Sequence, residues 1–396
     1  MDEIRTLKAE ELDESIALSC FAFQYELTPE EWRERKAQTN PDRVWGYFTQ
    51  GKMAAKMAIH DLRMYVQGKP YLMGGVASVA TWPEYRRSGM VAALLRHGLK
   101  RMKEEGRTLS CLHPFAVPFY RKYGWELYTD YKTYELTNAQ LPREQGVPGQ
   151  VRRSEGDWEL LGGIYDRFAR TYNGTIVRDE SWWLNRVFKQ KGRQAAVYYD
   201  ESGEARGYML YSVRQRVMEI GEMVHLDDTA RRGLWRFISN HDSMCEKVKL
   251  KAPADDELPF LLPDPRIKQE TVPYFMARIV DFVGFVSDYA FEPPGDTVQL
   301  LVRLSDADAP WNDGLFRITV DENGRASAER VREEAMGGNA NAEICACGIG
   351  TMTAMLMGYK RPAFMHKTGQ FQGPGHAIDL WETLIPRRST YLPDYY

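Results

Sequence analysis

The sequence predicts an α/β fold, in full an α+β chain of three consecutive domains at residues 1–145, 146–290 and 291–396. Three observations predict it. The first third contains, in this order, helices, antiparallel strands, a strand–loop–helix unit and further strands. Only the crossover connection through the strand–loop–helix unit requires parallel pairing. The second third repeats this order weakly. Turn-forming residues at Pro142–Gly149 and a composition shift at Phe291–Asp296 mark the two boundaries.

Composition narrows the possible functions. A net charge of −3 and a hydrophobic content of 43% are ordinary for a globular protein and give no basic footprint for nucleic acid or an anionic membrane. No apolar run approaches the roughly 18 residues of a membrane span, and the N-terminus lacks the pattern of a signal peptide. The five cysteines have no metal-ligand spacing. We therefore expect a cytoplasmic protein with free thiols, no metal, and neither a nucleic-acid nor a membrane partner.

The elements of the first third follow from local patterns. Residues 4–40 are predicted to be helical, with Thr28 as an N-cap, Pro29 at the first helical position and Glu31 completing a capping box. An aromatic cluster with one carboxylate, Phe21–Glu26, lies between the two helices. Core packing at a helix end explains these residues better than a substrate pocket does. Strands are predicted at 44–48, 53–64, 71–79, 108–112 and 127–136, with a helix after Gly89 and a short helix ending at Gly124.

The segment Ser78–Leu95 is the most informative stretch. An apolar strand passes through a loop containing Arg86, Arg87, Ser88 and Gly89 and then enters a helix. In this arrangement the loop and first-turn amides converge on one point, where the helix dipole favours an anion. A surface turn with two solvated arginines is the alternative explanation of the same residues.

Two neighbouring features extend the anion site to a coenzyme site. Val79, Ala80 and Thr81 end the strand, and a bulge or splay there exposes backbone groups that could pair with a pantetheine arm and polarise an acyl carbonyl. Tyr120 follows about 30 residues downstream, and a phenol can donate a proton to a departing thiolate. Alone, Tyr120 is also explained as an aromatic residue packed at a helix end.

The second third contains a similar but altered loop. Arg231-Arg232-Gly233 lacks the spacer that Ser88 provides in the first copy, and no tyrosine follows at the matching place. We interpret this copy as a scaffold rather than a second active site.

Together, the loop and Tyr120 resemble the motifs of the GNAT acetyltransferase family over residues 1 to about 140. The strand followed by Arg86-Arg87-Ser88-Gly89-Met90-Val91 is similar to its motif A, R/Q-x-x-G-x-A/G, with the register open by one residue. Phe119-Tyr120-Arg-Lys-Tyr-Gly124-Trp125 is similar to its motif B. The whole chain resembles the enhanced intracellular survival (Eis) branch, which implies tandem GNAT domains of mixed sheets flanked by helices, the second degenerate, and a C-terminal sterol-carrier-protein-like α+β domain.

The resemblance implies a function and a set of site residues. The function is acetyl transfer from acetyl-CoA to small-molecule amines, including aminoglycosides at several positions, in a homo-oligomer that is a hexamer. Tyr120 would be the general acid, the terminal carboxylate of Tyr396 the base, and Glu26 a contact to the substrate. The implied coenzyme-binding residues are Val79, Ala80, Thr81, Arg87, Ser88, Gly89, Met90, Val91, Ala92, Phe115 and Ala116.

The basicity of a free carboxylate is low for the role given to Tyr396. A free α-carboxyl group has a pKa of about 3.5 and is a weak base toward an ammonium group. Desolvation, a relaying water, or simple binding of the cationic amine would each give it a function.

A competing hypothesis places the function in the last domain. The apolar segment Ile344–Met357 and the sterol-carrier resemblance would suit a carrier of lipids or other apolar ligands, with the acetyltransferase domains non-catalytic. Ordinary core packing explains the same apolar residues.

Overall fold

A computed structural model describes residues 2–190, 192–332 and 344–396. The strands in chain order are β1 Glu3–Thr6, β2 Val44–Thr49, β3 Lys52–Val66, β4 Lys69–Thr81, β5 Leu109–Leu112, β6 Glu126–Leu127, β7 Asp130–Thr137, β8 Gln150–Ser154, β9 Gln194–Tyr199, β10 Ala205–Arg214, β11 Val217–His225, β12 Lys247–Pro253, β13 Lys268–Pro273, β14 Met276–Ile279, β15 Val298–Ser305, β16 Gly314–Val320, β17 Ala326–Val331 and β18 Ile344–Gly348.

The helices lie between them and cover the sheets. They are α1 Leu12–Phe23, α2 Pro29–Gln38, α3 Met90–Glu104, α4 Val117–Arg121, α5 Trp158–Ala169, α6 Glu180–Trp182, α7 Asp228–Ser239, α8 Leu258–Leu261, α9 Phe282–Asp288, α10 Ile349–Leu356, α11 Pro362–Lys367 and α12 Gly375–Leu384. In the described ranges, none of these helices has the length and apolar character needed to cross a membrane.

The first sheet has the order β1-β2-β3-β4-β5-β14-β6, and its β4–β5 pair is parallel, as the central crossover requires. One face packs on α3 through Leu94, Leu95 and Leu99, which follow the helical period. The predicted capping box of α2 is present, with Thr28 accepting from the Glu31 amide.

The start of the chain differs from the helical prediction. Glu3–Thr6 is an edge strand paired antiparallel with β2, so that Ile4 lies opposite Tyr47. Four residues are too few for a period to show, and the partner that selects the extended conformation lies about 40 residues away in sequence, which local patterns do not reveal.

The first two sheets exchange strands. The single strand predicted at 127–136 is divided: β6 stays in the first sheet, whereas β7 pairs with β12 and β13 in the second. In return, β14 lies between β5 and β6 of the first sheet. The domain boundaries at 145 and 290 remain a prediction, because each sheet contains a strand from the other side of the first boundary.

The second sheet has the order β13-β7-β12-β11-β10-β9-β8, with β11 and β12 parallel. Its strand–helix–strand unit around α7 repeats the plan of β4, α3 and β5. The fold prediction is confirmed: mixed sheets flanked by helices occur in both the first and second thirds.

The last third is built on the sheet β17-β16-β15-β18, where β15 and β18 are parallel. Most of the apolar segment Ile344–Met357 is buried in a core cluster that also contains Phe316, Trp381 and strands of the first sheet. Core packing therefore accounts for these apolar residues.

Candidate active site

The end of β4 separates from its neighbour. Its parallel pairing with β5 stops at Val76, opposite Leu112, but β4 continues five residues further to Thr81. On its other side the register with β3 shifts between Lys56 and Ala58, and Ser78 in the matching part of β4 has a φ of 52°. The predicted bulge and splay are both present, and they open one side of residues 77–81.

The loop after β4 presents its backbone to the same space. Arg87 and Gly89 have φ values of 65° and 83°, and the Ser88 hydroxyl donates a hydrogen bond to the Tyr85 carbonyl at 2.5 Å. Gly89 is the N-cap of α3 and supplies no side-chain capping bond. The amides of the first helical turn therefore have no partner within the helix and are available to a ligand.

These features line one cavity of about 670 Å³. Its volume is typical of a ligand pocket. Of the eleven residues predicted to bind coenzyme, ten line it; Ala116 does not, and instead begins α4 as its N-cap. The buried Thr81 hydroxyl has no hydrogen-bond partner among the described residues. Such an orphaned hydroxyl suits a polar ligand. Ala22 and Phe23 of α1, two members of the Phe21–Glu26 cluster, complete the wall.

Tyr120 lies in α4 and is 2% exposed. Its ring packs against Phe115 and Phe119, with centroids 5.3 and 5.2 Å away, and against Trp125. A tyrosine phenol, with an ordinary pKa of about 10, is protonated at neutral pH, and burial raises the pKa of Tyr120 further. Tyr120 thus lies behind Phe115 and Phe119, two aromatic residues that line the cavity.

The chain terminus reaches the first sheet from the other face. The Tyr396 ring contacts Phe275 and His60, and a Cβ atom at Gly75 of β4 would lie 2.8 Å from it. Tyr120 belongs to the core cluster on the α3 face, so the described ring contacts of the two tyrosines do not join them.

Glu26 lies outside this arrangement. It is exposed just after α1 and does not line the cavity, although its neighbour Phe23 does. Its predicted contact with substrate remains a prediction.

The corresponding place in the second sheet is closed to an anion. Arg231, Arg232 and Gly233 do not form a loop but lie inside α7. The N-cap of that helix is Asp227, whose carboxylate accepts from the Ala230 amide at 2.8 Å. A carboxylate at the helix N-terminus repels a phosphate group there. The geometry favours the interpretation of this copy as a scaffold.

A second cavity, of about 910 Å³, lies beside the C-terminal tail. Its wall includes Arg178, Glu222, Asp394 and Tyr395, together with strands of the second sheet. Within the described ranges, no group of three or more His, Cys, Asp or Glu side chains could hold a metal ion.

Comparisons with known families match all three parts of the chain. Residues 3–128 and 174–279 each match an acetyltransferase (GNAT) domain, and residues 282–393 match a sterol carrier protein domain. An uncharacterized N-acetyltransferase of Streptomyces avermitilis is 24% identical over 359 residues, which are 84% of each chain. The N-acetyltransferase Eis of Mycobacterium tuberculosis is 28% identical over 243 residues, 56% of this chain and 58% of that protein.

Solved structures agree over the full length of the chain. A probable N-acyltransferase from Enterococcus faecalis superposes with a TM-score of 0.90 at 26% identity, with both chains covered completely. Eis1 from Mycobacterium abscessus has a TM-score of 0.81 at 18% identity, again over both whole chains, and shows the shared fold. The chain therefore belongs to the GNAT N-acetyltransferases and is similar to the Eis proteins, with two GNAT domains followed by a sterol carrier protein domain.

Proposed function

We propose that the first domain transfers an acetyl group from acetyl-CoA to a primary amine of a small molecule. The observation that carries this proposal is the single cavity lined by the end of β4, the loop at 86–89 and the first turn of α3. Its open amides suit a diphosphate, and the separated end of β4 suits an extended arm that ends in a thioester.

Each part of the cavity has its own task in this proposal. The amides of Met90, Val91 and Ala92 and the Arg87 side chain bind the pyrophosphate, because donors and positive charge converge on one place there. The backbone of residues 79–81 pairs with the pantetheine arm and donates to the thioester carbonyl oxygen as negative charge develops on it.

The acetyl transfer itself makes one bond and breaks one. The amine nitrogen forms the new bond to the carbonyl carbon as the carbon–sulfur bond breaks. Tyr120, which is protonated at neutral pH, donates its proton toward the leaving sulfur. The Tyr396 carboxylate takes up the proton that the amine loses, or binds the ammonium form before it is released.

The finer assignments rest on resemblance to the Eis family. Aminoglycosides as acceptors and a hexameric assembly are part of this proposal on that ground, and a cytoplasmic location is part of it because the five cysteines are free thiols. The name of the M. tuberculosis relative supports N-acetyl transfer and leaves the acceptor open.

The proposal is tested by measuring thiol release from acetyl-CoA with kanamycin and with a diamine. Tyr120→Phe should lower kcat about 100-fold or more while the KM for acetyl-CoA changes little, because only the proton donor is lost. Tyr123→Phe is the matched control on the same cavity and should retain activity. If neither amine supports thiol release, or if Tyr120→Phe retains full kcat, the proposed reaction or the assigned role is wrong.

A further inference from the structure

The last six residues, 391–396, form a mostly buried strap without helix or strand. Tyr391, Leu392, Asp394 and Tyr396 are buried, whereas Tyr395 is exposed. The strap starts at a hydrogen bond from the Tyr391 amide to the Asn173 carbonyl at 2.9 Å. Chain termini are usually poorly ordered unless something holds them. Specific contacts in the second third of the chain hold this one.

Asp394 is the main anchor of the strap. Its side chain is 4% exposed and accepts from the Arg178 Nε atom at 3.0 Å and from the Trp182 indole N–H at 2.8 Å. The Tyr274 hydroxyl donates to its backbone carbonyl at 3.0 Å. Three residues from two parts of the chain therefore fix both the side chain and the backbone of Asp394.

Arg178 is itself held in one position by Glu222 and Tyr165. Its side chain is 1% exposed, and its two terminal nitrogens donate to the Glu222 carboxylate at 2.9 and 2.5 Å. The Tyr208 hydroxyl donates to the same carboxylate, and the guanidinium lies 3.8 Å from the centre of the Tyr165 ring. A buried network with every partner in place is rigid and gives its members one position.

The terminal residue lies two positions beyond this anchor. The Tyr396 ring is fixed separately by Phe275 and by the space that Gly75 leaves on β4, four residues before Val79. With residue 394 held on one side and the ring on the other, the terminal carboxylate has little freedom left. Arg178, Glu222 and Asp394 do not line the cavity of residues 79–92. They can therefore affect acetyl transfer only through the position of the C-terminal tail.

We propose that Arg178 and Asp394 are positioning residues that hold the Tyr396 carboxylate toward the amine to be acetylated. This inference rests on the proposed function, because it gives the terminal carboxylate its part in the proton transfer. Arg178 orients Asp394, Asp394 orients the tail, and neither touches the reacting atoms.

Two mild variants test the anchor at different bonds. Asp394→Asn keeps the size of the side chain and leaves the Arg178–Glu222 pair intact, and Tyr274→Phe removes only the hydroxyl that binds the backbone of residue 394. Glu219→Gln, an exposed acid on the same cavity wall, is the matched control. We expect both variants to lower kcat at least fivefold and to leave the KM for acetyl-CoA within twofold. The control should keep its kcat.

Release of Tyr396 by carboxypeptidase, followed by mass spectrometry of the intact chain, measures the anchoring without reference to activity. It should be at least fivefold faster in both variants than in the control. A native chain extended by one C-terminal alanine tests the carboxylate itself. If this extended chain keeps full turnover, the proposed role of the carboxylate fails. If the extension abolishes turnover but both variants keep their kcat and resist the peptidase, the positioning inference is overturned and the proposed function stands.

Discussion

His60 lies beside the terminal ring, on the strand next to β4. Its imidazole meets the Tyr396 ring edge-on with centroids 6.3 Å apart. Burial lowers the pKa of His60 to about 4, and the positive charge of Arg186 acts in the same direction. The imidazole is therefore neutral near pH 7 and adds no positive charge beside the residue that carries the terminal carboxylate.

This lowered pKa predicts a loss of stability in acid. The unfolded histidine titrates near pH 6.5, so between pH 6.5 and 4 the unfolded chain binds more protons and the free energy of unfolding falls with falling pH. The contribution of His60 across this window is up to about 3 kcal/mol. His60→Gln should remove that part of the fall, as measured by urea unfolding at pH 7.5 and pH 4.5. His241→Gln is the control, and an equal fall in native protein and His60→Gln would contradict the assignment.

Two helices in corresponding places differ at their N-caps. The N-cap of α3 is Gly89, which has no capping side chain, whereas the N-cap of α7 is Asp227, whose carboxylate accepts from the Ala230 amide at 2.8 Å and from Arg206 at 2.9 Å. The start of α3 is thus open to a phosphate group, whereas the start of α7 already carries a carboxylate. This difference, rather than the number of arginines nearby, separates the two helix starts.

The comparison predicts the effect of a carboxylate at residue 89. Asparagine tolerates the positive φ of this position better than most residues, so Gly89→Asn tests the backbone alone, and Gly89→Asp adds the charge. We expect Gly89→Asp to bind coenzyme A at least about tenfold more weakly than Gly89→Asn, because a carboxylate would face the diphosphate. Isothermal titration at low and high salt measures both, and the gap should narrow at high salt. Equal affinities would show that no phosphate binds at this helix.

A buried ion pair joins the first sheet to the last domain. Arg278 of β14 is fully buried, and its Nη2 atom lies 2.6 Å from both carboxylate oxygens of Asp306, which follows β15. Arg278 also donates to the Tyr123 carbonyl, just after the helix that carries Tyr120. Through Arg278, the last domain is thereby connected to the segment that follows α4.

Removing one partner of this pair should be costly. Arg278→Met leaves the Asp306 charge buried without its partner and should lower the free energy of unfolding by about 3–5 kcal/mol. Arg317→Met, which breaks the more exposed pair with Glu329, should cost less than about 1 kcal/mol. Urea unfolding compares the two. A loss below 1 kcal/mol for Arg278→Met would show that the pair does not join the domains.

Local chemistry explains which parts of the fold could be predicted. The capping box at Thr28, the apolar face of α3 and the order of strand, loop and helix around Gly89 each depend on residues within one or two turns of chain. The exchange of β7 and β14 does not depend on such local residues. A strand of four to eight residues can form its backbone hydrogen bonds in either sheet, and only long-range packing selects one of them. The start of the chain at Glu3–Thr6 was predicted wrongly for the same reason.

Ten of the residues predicted from the sequence line one cavity, because they lie in one continuous strand–loop–helix segment or follow it within the same domain. The contacts that hold the terminus follow from long-range packing and from no local pattern. Arg178 and Asp394 are 216 residues apart and carry no pattern that joins them. Their pairing depends on burial, since a guanidinium and a carboxylate removed from water must find each other, and only the packed domains bring them within reach.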